Sequence, residues 1–216
     1  MGKGERTMKL HMRERVISII AYGAIWGILE ATLGYVLHFL PALIAGTIMF
    51  PFVAGILVSA YKNQHSRMDI LGIAIVAAAI KSINLWMPQY SIFKTINPMM
   101  SIIFEALAVI CVVSAFDRSK LFAKVGWLIG ASVIWRGLYL GYMGVQFWMT
   151  GFLSAHLTSI ESMMQFGVYE AALSGGMAFV IVALFALVRD DFKPIFMKPW
   201  LSLPLLGLSM ALTILL

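Results

Sequence analysis

Residues 16–39 read VISIIAYGAIWGILEATLGYVLHF, an apolar run whose one formally charged side chain is Glu30. About 20 predominantly apolar residues suffice for a helix to cross the hydrocarbon core of a bilayer. The run is too long for the apolar region of a signal peptide, and no A-x-A-like cleavage site follows it. It reads as an uncleaved first span. Further apolar runs follow at 44–61, 69–87, 98–116, 122–145 and 167–188, with a shorter one at 200–216 that contains Pro204. The 216 residues are 61% hydrophobic and 12% charged, with a mean hydropathy of +0.91. Soluble domains are about 45–50% apolar and about 25% charged. The runs are continuous and do not alternate, so helices and not barrel strands are expected. The fold class is all-α: a polytopic membrane helix bundle of six spans plus a seventh C-terminal hydrophobic segment, forming a single transmembrane domain over residues 1–216.

Charge outside the runs sets the orientation. Residues 1–15 carry Lys3, Arg6, Lys9, Arg13 and Arg15 and form a basic segment expected on the cytoplasmic side. With the N-terminus inside, Lys62, Arg67, Arg118, Lys120, Lys124, Arg189, Lys193 and Lys198 also fall inside, and only Lys94 falls outside. That asymmetry follows the positive-inside rule. The same placement explains the net charge of +6 without a nucleic-acid partner, since the basic residues flank membrane spans and do not form a binding arm. Of the outer connections, 146–166 is the longest and the most aromatic, and it is expected to act as a lid or re-entrant segment at the interface.

Four charges lie inside the apolar runs: Glu30, Lys81, Glu105 and Arg136. A charge at the bilayer centre costs about 2.5–3.5 kcal/mol on insertion scales, so such residues pair or line a polar cavity. Two acids and two bases on four spans suggest one shared internal site. Polar neighbours extend it. Asn84 lies three residues after Lys81, on the same helical face. Asn97 precedes Pro98, a favourable helix start, and Ser101 and Glu105 follow at four-residue steps. An exposed Asn97 cap would favour an anion. Ser132 and Tyr139 flank Arg136. Glu161 and Glu170 border the third outer connection as further acids. The expected solute-binding residues are Glu30, Lys81, Asn84, Asn97, Ser101, Glu105, Arg136 and Tyr139.

On the first span, Gly23, Gly27 and Ala31 recur every four residues and form one small-residue stripe. It serves either a partner helix or packing within the chain's own bundle. Cys111 is the single cysteine, so intrachain disulfides, zinc fingers and iron–sulfur clusters are excluded. The four histidines are scattered, and no metal or cofactor site is expected. Neither G-x-x-x-x-G-K-[ST] nor H-E-x-x-H nor G-x-S-x-G occurs.

The run AIWGILEATLGYVLHFLPALIAGTIMFPFVAGILVSAYKN (24–63) resembles the N-terminal part of the small substrate-binding (S) components of energy-coupling factor transporters. KSINLWM (81–87) and INPMMSIIFEALAVI (96–110) resemble the third and fourth helices of members of that group. The likeness covers about residues 16–116 as a general pattern. It implies a bundle of usually six spans that takes a vitamin or other micronutrient from outside and docks on a transmembrane coupling subunit bearing two ATPase subunits. It also implies that small residues of the first helix contact the coupling subunit, here Gly23, Gly27 and Ala31 with Ala24 nearby. The chain departs from that plan in its seventh apolar segment and in Glu30.

The expected function is a solute-binding subunit of a prokaryotic plasma membrane, not itself an enzyme. It takes a small acidic or zwitterionic solute, with Lys81 and Arg136 meeting an acidic group. Two alternatives stand beside it. One is an accessory or scaffold subunit whose charges are structural ion pairs. The other is an integral membrane enzyme with Glu30 or Glu105 as an acid/base group.

Overall fold

The computed structural model describes residues 3–37, 42–64, 66–87, 92–196 and 198–216. Within them the chain forms α1 (Lys3–Leu37), α2 (Ala42–Gln64), α3 (Arg67–Lys81), α4 (Ile92–Arg118), α5 (Leu121–Thr150), α6 (Ile160–Met164), α7 (Glu170–Phe196) and α8 (Pro199–Leu215). A 3₁₀ turn over Ser82–Trp86 extends α3, and a π-helical turn over Gln165–Tyr169 joins α6 to α7. No strand occurs among the described residues, and the bundle is all-α. Pro41, Pro88, Gln89 and Tyr90, from the two connections expected first on the outer side, lie outside the described residues.

Among the described residues, five stretches are long and apolar enough to cross a membrane: Met12–Leu37, Arg67–Trp86, Ile92–Arg118, Leu121–Thr150 and Ile160–Leu187. The polarity of the bundle is inverted relative to a water-soluble one. On α5, Val133, Leu138 and Val145 are exposed, whereas Ser132, Arg136 and Gln146 are buried. Exposed Trp86 and Trp148 mark one end, and exposed Phe122 and Trp200 mark the other. Aromatic belts of this kind sit at the two interfaces of a bilayer. A membrane-embedded bundle accounts for all of these features.

The helices pack as a ring in the order α1, α3, α4, α5, α7 and α2, with α2 closing back on α1. α8 lies along α1 outside that ring. The periodicity of each helix explains which polar residues turn inward. α3 buries Ile70, Ile73, Ala74 and Ala77, and one more step of four along that stripe reaches Lys81. α4 buries Ile102, Glu105, Ala106, Val109 and Val113, so Glu105 falls within the inward stripe. Leu128, Ser132, Trp135 and Arg136 do the same on α5. On α7, Ala171, Ser174 and Ala178 are buried, and Glu170 stands one turn before Ser174. The charges share the faces of the apolar core, and none of these helices can present its core without also bringing its charge inside.

Two glycines permit this arrangement. A side chain at Gly175 of α7 would strike the backbone Cα and N of Ile129, so glycine lets α5 and α7 approach closely. Gly151 ends α5 with φ of 72° and donates its N–H to Phe147 at 2.8 Å. This left-handed cap turns the chain back over the end of the bundle.

Candidate functional site

The site lies where α1, α3 and α5 finish and α2, α4 and α7 begin. Arg136 is fully buried, with 0% exposure. Its guanidinium donates to Ser132 Oγ at 2.6 Å, one turn back on α5, and to Thr47 Oγ1 of α2 at 3.1 Å. Thr47 donates in turn to Glu170 Oε2 at 3.1 Å. The guanidinium carbon lies 4.6 Å from the centre of the Trp135 ring and 5.2 Å from that of Phe166. A guanidinium is always charged and stacks well on aromatic faces, so this position is both solvated by hydroxyls and covered by rings.

Glu105 is 3% exposed and accepts a 3.2 Å hydrogen bond from Ser101, as the four-residue spacing predicts. Glu30 is partly buried and accepts from Trp26 Nε1 at 3.3 Å. Lys81 ends α3 and is partly buried. Through Thr47, Arg136 of α5 is bridged to Glu170 of α7, whereas Glu30 and Glu105 hydrogen-bond side chains one turn away on their own helices.

A second polar cluster joins α4 to α5. Asn97 Oδ1 accepts from Tyr142 at 2.9 Å and from Gln146 Nε2 at 3.1 Å. Here the sequence reading requires correction. α4 begins at Ile92, so Asn97 and Pro98 lie inside the helix and Asn97 is not its cap. Residues ahead of the proline have packing partners: Thr95 is buried and Phe93 stacks on Phe152 at 6.1 Å. That packing outweighs the hydrogen bond lost at Pro98. An anion held at a helix start on Asn97 is therefore not available. Asn84 lies in the 3₁₀ turn, buried, with Oδ1 unpartnered.

Aromatic rings form the remaining wall. Tyr139 contacts the rings of Trp135, Tyr142, His156 and Phe166 at centroid distances of 6.0–6.3 Å. His156 lies closer still to Phe166, at 4.2 Å. His156 belongs to the connection expected as a lid. That connection is shorter than the expected 146–166, because α5 runs on to Thr150. Its short turn Ala155–Leu157 places His156 over the site. Burial, and then the charge of Arg136, pull the His156 imidazole below its ordinary value of 6.5. The π turn re-aims Phe166 inward, a common role of such turns at functional sites.

The small-residue stripe of α1 is filled by the chain's own helices. A side chain at Gly23 would meet Val76 Cβ at 2.6 Å, and one at Gly27 would meet Ser209 of α8 and Ile80 Cδ1. Ala24 and Ala31 are also buried. Of the two roles read for this stripe, packing within the bundle is the one the geometry adopts, and the face expected to meet a partner is covered by α3 and α8.

Thr47, Trp135 and Gln146 carry much of the site and were not singled out from sequence. A lone threonine in an apolar run gives no signal, and Trp135 reads as core. Glu170 had a weak signal, an acid four residues before Ser174 at the start of an apolar run.

The class this defines is a helix bundle with an apolar exterior and a charged, ring-lined interior at one end. No family model, curated protein or solved structure matches this chain. No group of three or more His, Cys, Asp or Glu side chains suited to a metal ion occurs among the described residues.

Proposed function

We propose that this chain is a membrane-embedded solute-binding subunit, with its N-terminus in the cytoplasm of a prokaryotic plasma membrane and its charged chamber on the outer half. One observation carries the reading. Arg136 of α5 is fully buried and tied through Thr47 of α2 to buried Glu170 of α7, and Glu105 of α4 is buried with its Oε2 unpartnered. Burying Glu105, Arg136 and Glu170 for structure alone is costly, since apolar replacements of buried ion pairs are often neutral or stabilising. A ligand that completes the unpaired groups gives the cost a purpose.

The sequence contains no phosphate-binding loop, so uptake against a gradient needs energy from elsewhere. The resemblance to the S components of energy-coupling factor transporters supplies a source: a transmembrane coupling subunit with two ATPase subunits. The covered stripe on α1 means that such a partner either displaces α8 or uses another face. Native mass spectrometry of the gently purified protein tests the proposal. A retained small molecule, ATPase partners and loss of the molecule in Arg136→Ala support it. Co-purification with redox or biosynthetic subunits, and no retained molecule, sinks it.

A second reading has its own observation. Arg136 is held within the protein by Ser132, Thr47 and two rings, with its Nε left over. That is also how a structural ion in an accessory subunit would be held. Unchanged solute retention in Arg136→Ala, together with loss of thermal stability, favours it. Turnover of a substrate by the isolated chain would instead favour a membrane enzyme using Glu30 or Glu105.

A further inference from the structure

The connection after α5 carries a titratable ring into the bundle. Its two ends are held: Phe152 stacks on Phe93 of α4 at 6.1 Å, and Ser159 caps α6 by accepting from the backbone N–H of Ser162 at 3.1 Å. Between those ends only Ser154 and His156 are buried. The bonds made there are internal to the turn. The Ser154 carbonyl accepts the N–H of Leu157 at 2.9 Å, and Thr158 Oγ1 donates to the Ala155 carbonyl at 2.9 Å. The turn is fastened to the bundle by the imidazole. His156 lies 4.2 Å from the centre of the Phe166 ring and 6.3 Å from that of Tyr139. Its Nδ1 is buried and has no hydrogen-bond partner. The Arg136 guanidinium carbon lies 5.2 Å from the same Phe166 ring.

A neutral imidazole suits that position and an imidazolium does not. Both ring nitrogens of the charged form are donors, and buried Nδ1 finds no acceptor. The surroundings offer no counter-charge. α5 presents Tyr139 and the cation Arg136, and the π turn presents Phe166. Glu161 of α6 and Tyr169 of the π turn are exposed. Glu170 of α7 is engaged by Thr47, itself bonded to Arg136. We propose that the turn around His156 is an acid-released latch: protonation swings the imidazole out to water, carries Ser154 with it and uncovers Phe166 and Arg136, while the helices stay in place. The direction of the His156 titration agrees, since burial and then Arg136 hold it below its ordinary 6.5. Opening takes up one proton, so the open fraction rises by up to about 10-fold for each pH unit below the ordinary value. The latch is a property of the turn and does not depend on the solute-binding reading.

Cysteine accessibility in the full chain in nanodiscs tests it. In a Cys111→Ser background, Ser154→Cys places a thiol at a buried position of the turn and Ala155→Cys at an exposed one. The ratio of their maleimide rates cancels the pH dependence of the thiol itself. That ratio should rise at least about 5-fold from pH 7.5 to 5.5, with helical circular dichroism unchanged. His156→Phe keeps a ring on Phe166 and cannot charge, so in that variant the ratio should stay flat. A flat ratio in the His156 protein, an equal rise in His156→Phe, or a rise that accompanies loss of helix overturns the latch. Should Ser154→Cys not fold, hydrogen exchange of residues 153–159 in the native chain, corrected for its intrinsic pH dependence, should show the same rise, and its absence overturns the latch.

Discussion

Arg136 meets Glu170 through a third side chain, the hydroxyl of Thr47, which accepts from the guanidinium at 3.1 Å and donates to the carboxylate at 3.1 Å. One oxygen on α2 thus ties α5 to α7. Thr47→Val keeps the shape and removes both bonds. Leaving buried partners unsatisfied costs about 1–3 kcal/mol, so thermal unfolding in detergent should show a clear loss for Thr47→Val and little for Thr47→Ser. Equal stability of all three proteins would show that the bridge contributes nothing.

Arg136 lies fully buried and is bridged to the buried acid Glu170 by Thr47. Removing one partner of a buried pair costs about 3–5 kcal/mol, and Arg136→Leu should fall in that range. Adding Glu170→Gln removes one stranded acid and should restore part of the loss. A double-mutant cycle should therefore give a coupling of about 0.5–3 kcal/mol. Simple additivity would mean that the two side chains do not sense each other.

Neighbouring glycines on α7 should behave differently. Gly175 lies against the backbone of Ile129, whereas a side chain at Gly176 meets nothing within 4 Å. Gly175→Leu forces α5 and α7 apart, and overpacking of this kind costs about 1–3 kcal/mol. Gly176→Leu should be tolerated. Comparing expression and unfolding temperatures of the two variants checks the helix contact directly.

His156 makes stability depend on pH. Its imidazole titrates below the ordinary 6.5, first because it is buried and then because Arg136 is near. An unfolded chain therefore takes up a proton at this position before the folded chain does. The contribution is absent above about pH 7 and grows as a loss of stability when pH falls through 6.5, in the direction set by linkage. Unfolding temperatures measured from pH 7.5 to 5 should fall less in His156→Gln than in the native chain. Parallel curves would exclude His156 as a cause.

The orientation is testable by labelling. In a Cys111→Ser background, Glu161→Cys should react with an impermeant maleimide added to whole cells. Lys120→Cys should react only after the membrane is opened. Both positions are exposed. The reverse pattern would invert the bundle and move the buried charges to the cytoplasmic side.

The helices were legible because apolar runs of span length have few alternatives in a chain this hydrophobic. Four of the charges were legible for the same reason: Glu30, Lys81, Glu105 and Arg136 interrupt those runs. Their mutual arrangement depends on which helices adjoin, and spacing within one helix does not carry that information. Asn97 shows the limit from the other side. Local preference made Asn97-Pro98 a helix start, but contacts such as Phe93 on Phe152 extended α4 past it. Thr47 was invisible because a hydroxyl in an apolar helix usually bonds its own backbone, and only the approach of α5 and α7 gives it another task.

α8 covers the glycine face of α1 with Ser209, and its Ser202 and Thr213 are buried as well. Any foreign helix seeking that groove competes with a rival tethered to the same molecule, present at an effective concentration of about millimolar order where the linker is short. Its apparent affinity then scales with the fraction of time α8 stands away. Association at this face would be governed by α8, and sequence changes there would tune assembly without touching Arg136 and its partners.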